Sequence, residues 1–217
     1  MISFAYADTG PKMTALYRAL ADGMIASASA AMPDEQIVLL TDDTTPVFKG
    51  IDKVLRVERT MPLMVWRLKC HQVAHSLGEE ILFVEPDVRF NEGVMEVFSN
   101  HFDIAITTRE SAVTLENERR NTPFTLGMTF SRSAEFWRQA KLHCQTLPEA
   151  EQGWFGDMLS IAAVIESSQF NVQKLDGAVY NHVVNDPNEQ PTGAKALHYK
   201  GKRKAWLFPQ AIEEAAP

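Results

Sequence analysis

Residues 81–84, with the two carboxylates that follow them, constrain the fold of this chain more than any other segment. Four consecutive apolar residues, Ile-Leu-Phe-Val, lack polar alternation, which is typical of a strand buried on both faces. Such strands belong to sheets covered by helices, and in open α/β sheets ligands bind beyond the carboxyl ends of the strands. We therefore expect Glu85 and Asp87 to lie where a ligand binds.

Apolar runs with strand character alternate with segments of helical periodicity from the start of the chain. The runs predict strands at 2–7, 36–40, 53–57, 81–84, 102–107 and 125–130, and the periodic segments predict helices at about 9–32, 63–77, 133–147 and 149–165. Further short strands are predicted near Val172, near Val179 and at 196–198. This alternation predicts an α/β fold with a single, mainly parallel sheet flanked by helices.

The length of 217 residues suits one domain with a sizeable core, and no repeat or linker divides the chain. We therefore expect a single domain over 1–217. Residues 109–122 are polar, charged and poor in pattern, and predict a mobile loop. Residues 207–217 are expected to form a frayed tail.

Composition excludes several functional classes. The formal net charge of −7 argues against a general nucleic-acid coat, although a local basic patch over a phosphate is compatible with it. Cys70 and Cys144 are too few for a disulfide scaffold and fit a reducing compartment. The first residues lack the features of a signal peptide, and no apolar run approaches membrane-spanning length. We expect a soluble, cytoplasmic protein.

The Glu85-Pro86-Asp87 segment has the composition of a cation site. With one residue between them, the two carboxylates can converge on one hard cation, which can in turn hold the phosphates of a nucleotide. Pro86 stiffens the turn between them. Taken alone, the segment is weak support, because acidic residues often simply end strands and solvate turns.

A second cluster lies at 198–206, where a histidine precedes a glycine and several cations. His198 can ligate a metal through a neutral ring nitrogen, and Gly201 allows the backbone to approach a phosphate closely. Lys204 can neutralise a diphosphate as a point charge. A basic run by itself is more often a solvated surface or a nucleic-acid contact.

Four motifs in order make the pattern specific, and together they resemble glycosyltransferase family 8 and its relatives. The C-terminal signature His-x-x-Gly-x-x-Lys-x-Trp runs from His198 to Trp206, with Ala205 where the family usually has proline. The Glu-Pro-Asp segment at 85–87 occupies the position of the family's Asp-x-Asp motif. Residues 124–128 and 156–158 resemble its Phe-Asn-x-Gly-Val strand and its Asp-Gln helix start, with Thr125 replacing the asparagine and Met158 the glutamine.

The resemblance implies a GT-A fold and a metal-dependent glycosyltransferase. Such enzymes hold a nucleotide-sugar donor, UDP-linked by family habit, through a divalent ion, commonly Mn²⁺ and otherwise Mg²⁺. The donor-binding part would span about 1–90 and the acceptor-binding and catalytic part about 91–206. The family retains the anomeric configuration of the transferred sugar.

Carried over residue by residue, the resemblance assigns a site. The implied metal ligands are Glu85, Asp87 and His198, and the implied catalytic residues are Asp157, which would face the donor sugar, and Arg67, which would contact the donor's phosphate or sugar. Ala7 and Asp8 would lie near the nucleobase or ribose, and Gly201 and Lys204 would close over the diphosphate. The remaining implied donor contacts are Pro86 and Gly127. Asn181 and His182 are further candidates for shaping the site.

Two other classes stay open. A sugar nucleotidyltransferase uses a similar sheet, but it needs a Gly-rich loop with arginine and lysine after the first strand, which residues 6–12 do not provide. A degenerate, non-catalytic GT-A domain would bind a partner or nucleic acid through 200–204. The Thr125 and Met158 departures and the Glu-for-Asp change give this class some weight, whereas retention of both carboxylate positions and of His198 argues against it. The acceptor is also open between a glycan, a lipid-linked saccharide, a protein and a modified nucleic acid.

Overall fold

The computed structural model of the protein describes residues 1–108, 123–189 and 191–207. The predicted loop at 109–122 and nearly all of the predicted tail, 208–217, lie outside the described residues. None of the described helices is both long enough and apolar enough to cross a membrane.

The strands and helices alternate along the chain as expected. The strands are β1 (Ile2–Ala5), β2 (Ile37–Thr41), β3 (Lys53–Arg56), β4 (Ile81–Val84), β5 (Val88–Phe90), β6 (Ile104–Thr108), β7 (Phe124–Ser131), β8 (Val172–Leu175), β9 (His182–Val183) and β10 (Ala196–His198). The α-helices are α1 (Pro11–Ala31), α2 (Leu63–Ala74), α3 (Ala134–Thr146), α4 (Gly156–Glu166) and α5 (Gly177–Tyr180). Short 3₁₀ helices cover Met95–Ser99, Glu149–Glu151 and Gly201–Trp206.

Within the described residues, a seven-stranded sheet has the order β3-β2-β1-β4-β7-β6-β8. The β3, β2, β1 and β4 neighbours pair in parallel, as do β6 and β8. Strand β7 runs antiparallel to both of its neighbours. The predicted α/β fold with a mainly parallel sheet is therefore confirmed, and a small second sheet, β5-β10-β9, is added to it.

Both faces of the main sheet are buried, which explains the apolar runs of its strands. In β4, Leu82 and Val84 contact one hydrophobic core, whereas Ile81 and Phe83 contact the other. The alternation follows from the strand geometry, in which successive side chains point to opposite faces. Trp66 of α2 anchors this helix to the sheet, because its Nε1 donates a hydrogen bond of 2.9 Å to the carbonyl of Val57.

Two predicted elements were wrong in detail. The helix expected at 149–165 is interrupted, and α4 begins only at Gly156. At Gly156 a Cβ would lie 2.7 Å from the carbonyl oxygen of Glu151, so the chain folds back on itself there. The strand expected near Val179 is the short helix α5, which Asp176 caps by accepting a hydrogen bond of 2.8 Å from the Ala178 amide.

Candidate metal centre and active site

Backbone pairing brings the two sequence clusters together. After β4, the amide of Glu85 donates to the Gly127 carbonyl of β7 at 2.9 Å, which fixes the start of the acidic turn. Strand β5 then pairs with β10 in an antiparallel register that sets His198 opposite Val88. The Tyr199 amide donates to the Asp87 carbonyl at 3.0 Å. The small sheet therefore places the C-terminal histidine beside the acidic turn.

Glu85, Asp87 and His198 form a compact cluster of possible metal ligands. One ligand atom from each residue lies within 4.8 Å of the others. The His198 Nε2 atom is 3.4 Å from Glu85 Oε2 and 3.5 Å from Asp87 Oδ1. Asp87 and His198 are buried, whereas Glu85 is partly accessible from one side. The three side chains thus surround one point at the edge of the sheet.

The geometry of this cluster fits a divalent ion. The buried Nε2 atom of His198 has no hydrogen-bond partner within the described residues. Ligands that bind one ion at about 2.0–2.2 Å lie roughly 3 Å apart, so the two distances from Nε2, 3.4 and 3.5 Å, need only a slight contraction. Two carboxylates and one imidazole are a donor set that Mn²⁺ and Mg²⁺ accept. These residues therefore fit the ion that the sequence implies.

Two cations flank the cluster, one paired with each of its carboxylates. Arg67 of α2 lies 2.7 Å from Glu85 Oε1 through Nη2 and 3.1 Å from Asp157 Oδ2 through Nη1. Asp157 is buried in the first turn of α4, where it also accepts a hydrogen bond of 2.8 Å from the Met158 amide. Lys204, in the 3₁₀ helix Gly201–Trp206, places Nζ 2.8 Å from Asp87 Oδ2. Carboxylates and cations consequently alternate through the site.

These neighbours shift the pKa values in different directions. Burial by itself lowers the pKa of His198, but the carboxylates of Asp87 and Glu85 raise it to about 9. Burial raises the pKa of Glu85, but the Arg67 and His198 charges hold it well below the usual range. The pKa of Asp157 is raised, since burial outweighs the Arg67 charge. Without an ion, His198 therefore carries a proton that an ion must displace.

A cleft of about 780 Å³ opens above the charged cluster. This volume is in the range of a small-molecule site. Aromatic side chains form part of its walls, and Trp154 at the rim is 62% exposed. The aromatic lining residues are Tyr6, Tyr17, Trp66, Trp154, Phe155 and Trp206. The cleft combines flat apolar surfaces, which suit a base or a sugar ring, with a charged floor.

The resemblance assigns eleven residues to the site, and nine of them line this cleft: Ala7, Arg67, Glu85, Pro86, Asp87, Asp157, His198, Gly201 and Lys204. Asp8 and Gly127 do not line it, and neither do the further candidates Asn181 and His182. The Asp8 carboxylate accepts hydrogen bonds from the Tyr6 hydroxyl at 2.7 Å and from Arg18 at 3.0 Å. Gly127 packs directly against His198, where a Cβ would lie 2.6 Å from Nδ1. Their roles as donor contacts stay predictions.

The sequence analysis missed part of the cleft wall. Met13 and Tyr17 have helical spacing, which indicates only a buried stripe, yet both line the cleft at the N-terminal end of α1. Thr107 was also missed. It is fully buried on β6, and its hydroxyl lies 2.8 Å from the Thr125 hydroxyl. Thr107 belongs to no recognisable motif, and only the pairing of β6 with β7 brings it to Thr125.

Comparison with known proteins identifies the fold. No protein-family model and no curated protein sequence matches this chain. Among solved structures, a glycosyltransferase involved in glycosylation of the major capsid of PBCV-1 aligns with a TM-score of 0.61 and 14% identity, over 95% of this chain and 97% of that chain.

Two structures of LgtC align as well. An active-site mutant of LgtC has a TM-score of 0.57 and 14% identity, over 92% of this chain and 87% of that chain. The galactosyltransferase LgtC in complex with donor and acceptor sugar analogues has a TM-score of 0.55 and 13% identity, over 99% and 94% of the two chains. The predicted GT-A fold is confirmed.

Proposed function

We propose that this protein is a metal-dependent glycosyltransferase that moves a sugar from a UDP-sugar to an acceptor bound in the same cleft. The observation that carries the proposal is the convergence of Glu85, Asp87 and His198 on one point, at the charged floor of a cleft, in a GT-A fold. The donor and acceptor sugar analogues named with LgtC support a sugar donor and a sugar acceptor here.

In this proposal the cluster holds Mn²⁺ or Mg²⁺. When bound, the ion supplies positive charge to the diphosphate of the donor and so stabilises it as a leaving group. Lys204 supplies a further positive charge from the 3₁₀ helix over the cleft. Arg67 orients Glu85 and Asp157 through its two ion pairs.

Sugar transfer breaks the bond between the anomeric carbon and the diphosphate, whose oxygen keeps the electron pair. The acceptor hydroxyl forms the new bond to that carbon and loses its proton. Because Lys204 offsets the charge on the leaving group, no general acid is required on that side. Asp157 faces the positively charged sugar, and the proposal includes retention of anomeric configuration.

The proposal also divides the chain into a donor-binding part and an acceptor-binding part. Residues from about 1–90 hold the donor, and those from about 91–206 supply the acceptor side, where the exposed Trp154 offers a flat surface to a sugar ring. The free, buried thiols of Cys70 and Cys144 are consistent with a cytoplasmic enzyme.

A thermal-shift screen against UDP-, GDP-, CMP- and TDP-sugars, with and without Mn²⁺, tests the proposal. A ligand at a hundredfold excess over its dissociation constant adds about 2.7 kcal/mol to folding stability. We therefore expect a UDP-sugar to raise the melting temperature by roughly 5–10 °C when Mn²⁺ is present.

Two variants control the screen. Asp87→Ala removes a proposed ligand and should abolish the Mn²⁺-dependent shift, whereas Asp22→Ala, an exposed residue of α1, should leave it unchanged. An assay for hydrolysis or transfer of the UDP-sugar then distinguishes an enzyme, which consumes the donor, from a binding module, which does not. A protein that shifts with none of the nucleotides would instead be the non-catalytic GT-A domain, with residues 200–204 as its contact surface.

A further inference from the structure

Cations outnumber carboxylates along the cleft, although the protein as a whole has a formal net charge of −7. The carboxylates of the lining are Glu85, Asp87 and Asp157, and its cations are Arg67, Lys200, Lys202, Arg203 and Lys204. All three carboxylates belong to the charged floor, where ion pairs with Arg67 and Lys204 already engage them. The surplus of positive charge therefore comes from residues 200–203.

The ion and the donor of the proposed function leave this surplus in place. A divalent ion and the diphosphate of a nucleotide sugar carry equal and opposite charges, so they offset each other in the cleft. Within the described residues, neither Lys202 nor Arg203 forms an ion pair with a carboxylate. Among these residues, both cations consequently lack a counter-charge even when the ion and the donor are bound.

The guanidinium of Arg203 is held in place at the cleft. It is half-buried, and its Nη2 donates a hydrogen bond of 2.9 Å to Oδ1 of Asn185, which also lines the cleft. Nδ2 of Asn185 donates to the Val183 carbonyl at 2.9 Å, which fixes the oxygen end of this amide towards the arginine. A guanidinium has five N–H donors in a fixed fork, so Arg203 keeps donors for a carboxylate or a phosphate.

The two carboxylates that follow Asn185 in the chain, Asp186 and Glu189, are engaged elsewhere. Glu189 places Oε1 2.7 Å from His182 Nε2, and its Oε2 accepts from the Asn185 amide at 2.7 Å. Asp186 accepts from the Asn188 amide at 2.8 Å. Both carboxylates therefore stabilise their own loop, and neither neutralises the guanidinium at the cleft.

An exposed aromatic ring lines the same cleft. Trp154 is 62% exposed, and its ring packs edge to face against Phe155, with 6.5 Å between the ring centroids. Sugar rings present apolar C–H faces that pack on such flat surfaces and remove them from water. The cleft therefore combines a surface for a sugar ring with a fixed cation that suits an anionic group.

We propose that the acceptor is an acidic saccharide whose carboxylate or phosphate binds Arg203 while one of its sugar rings packs on Trp154. Lys202, the preceding residue, adds a second positive charge, and Asn185 positions the guanidinium. The role of this saccharide as an acceptor rests on the proposed function; the binding of an acidic sugar by Arg203 does not. Charge complementarity of this kind selects among ligands, because a neutral saccharide leaves the guanidinium unpaired.

Four small probes distinguish the contribution of the charge from that of the ring. Methyl glucuronide carries a carboxylate, glucose 6-phosphate carries a phosphate, methyl glucoside is neutral, and acetate has a charge but no ring. Ligand-observed NMR titration measures their dissociation constants on protein saturated with Mg²⁺ and UDP, so that the position of the donor's diphosphate is already filled.

Arg203→Gln removes the guanidinium charge. Arg138→Gln is the matched control, since Arg138 is exposed on α3, pairs with Glu135 and does not line the cleft. It makes the same charge change elsewhere on the protein.

We expect the unsubstituted protein and the control to bind at least one of the two acidic sugars about tenfold more tightly than methyl glucoside, because charge-assisted hydrogen bonds are strong. The acidic sugar that binds more tightly identifies the anion. Acetate should bind about tenfold more weakly than methyl glucuronide, since it lacks the ring contact. Arg203→Gln should reduce the charge preference to within about twofold and leave the affinity for UDP unchanged.

Equal affinities for acidic and neutral sugars in the unsubstituted protein would overturn the proposal without any variant. A charge preference that persists in Arg203→Gln, or acetate that binds as tightly as methyl glucuronide, would overturn it as well. A loss of UDP affinity of about tenfold in Arg203→Gln would assign the residue to the donor, contrary to the proposal.

If UDP does not bind with Mg²⁺, the probes are titrated in its absence. A charge preference that depends on Arg203 would then support the acidic-sugar site and reject the transferase function, whereas no such preference would reject both. The two failures therefore stay distinct.

Discussion

At the scale of single residues, Asp87 is shared between two cations. Its Oδ2 atom lies 2.8 Å from Lys204 Nζ, and its Oδ1 atom lies 3.5 Å from the ring of His198, which carries a proton when no ion is present. An incoming ion must displace the proton of His198 and must approach the ammonium group of Lys204. The same lysine is the cation that the proposal assigns to the donor's diphosphate.

Lys204→Met should therefore change two affinities in opposite directions. Removal of the ammonium takes a repelling charge from beside the ion, and we expect Mn²⁺ alone to bind about tenfold tighter, or about 1.4 kcal/mol. UDP in the presence of Mn²⁺ should bind more weakly, because the diphosphate loses a counter-charge. Calorimetric titration at low salt measures both.

Lys195→Met is the matched control, since Lys195 pairs with Glu96 and does not line the cleft. It makes the same charge change and should leave both affinities as they are. A loss of both affinities in Lys204→Met would show that the lysine supports the structure of the site, contrary to this assignment.

The residues of the site differ in how far the sequence could predict them. Glu85, Asp87 and His198 belong to motifs with fixed spacing, so their meeting could be expected before the strand register was known. Gly127 also belongs to a motif, but its contact with His198 depends on how β10 packs against β7. Thr125 replaces an asparagine of the resembling family, and only the structure shows that the amide of Asn181 bonds to it.

At the scale of elements, α2 and its C-cap carry two histidines, His71 and His75, that burial keeps neutral. His71 stacks on Phe83 at 4.1 Å between ring centroids, and burial lowers its pKa well below the usual value. His75 Nε2 lies 2.9 Å from the Ser131 hydroxyl, and burial lowers its pKa to about 4. At a given pH, both histidines therefore bind a proton more readily in the unfolded chain, where histidines titrate near 6.5, than in the folded protein.

Folding stability should consequently decrease as the pH falls from 6 to 5. In that window the unfolded chain binds a proton at each of these two histidines, whereas the folded protein binds little or none at either; His198 is protonated in both states and adds little slope. The loss is up to about 1.4 kcal/mol per pH unit for each of the two histidines. Urea unfolding at several pH values measures the slope. His75→Gln, which retains a polar group but does not titrate there, should give a shallower slope; an equal slope would contradict the assignment.

Element prediction succeeded where a continuous apolar run decides the structure and failed where a local backbone contact or a helix cap overrides the apolar pattern. The runs of β2 and β4 are buried on both faces, so their composition alone identifies them. The segment before α4 has apolar residues at helical spacing, but the backbone approach at Gly156 breaks the helix. The apolar residues near Val179 resemble a strand, yet the Asp176 cap and Gly177 favour a helical turn.

At the scale of the whole molecule, the antiparallel direction of β7 and the existence of a second sheet were not predictable from local patterns. Both depend on pairings between distant segments, and a pattern of burial is the same for either strand direction. The second sheet has the larger consequence, because it joins the acidic turn to β10 and thereby assembles the candidate metal centre.

This arrangement predicts a localised response to metal. An ion that binds the folded site opposes every opening that separates its ligands, so amides in 85–90 and 196–204 should exchange up to about a hundredfold more slowly at a hundredfold excess of Mn²⁺. Strands β3 and β8, at the edges of the main sheet, should show no change. Hydrogen-exchange mass spectrometry measures this.

Asp87→Ala should remove the protection in both segments. Protection spread evenly over the chain, or confined to one of the two segments, would contradict a single ion shared between them.

The pairing of β5 with β10 also orders events in time. As the chain leaves the ribosome, β1 to β4 can pair with one another, yet the acidic turn must wait for residue 198 before its third partner exists. Such distant pairings form late because the loop that they close is long. A nascent chain can thus build much of its sheet while Glu85 and Asp87 still lack His198, and competence for metal arises only once residue 198 has been synthesised.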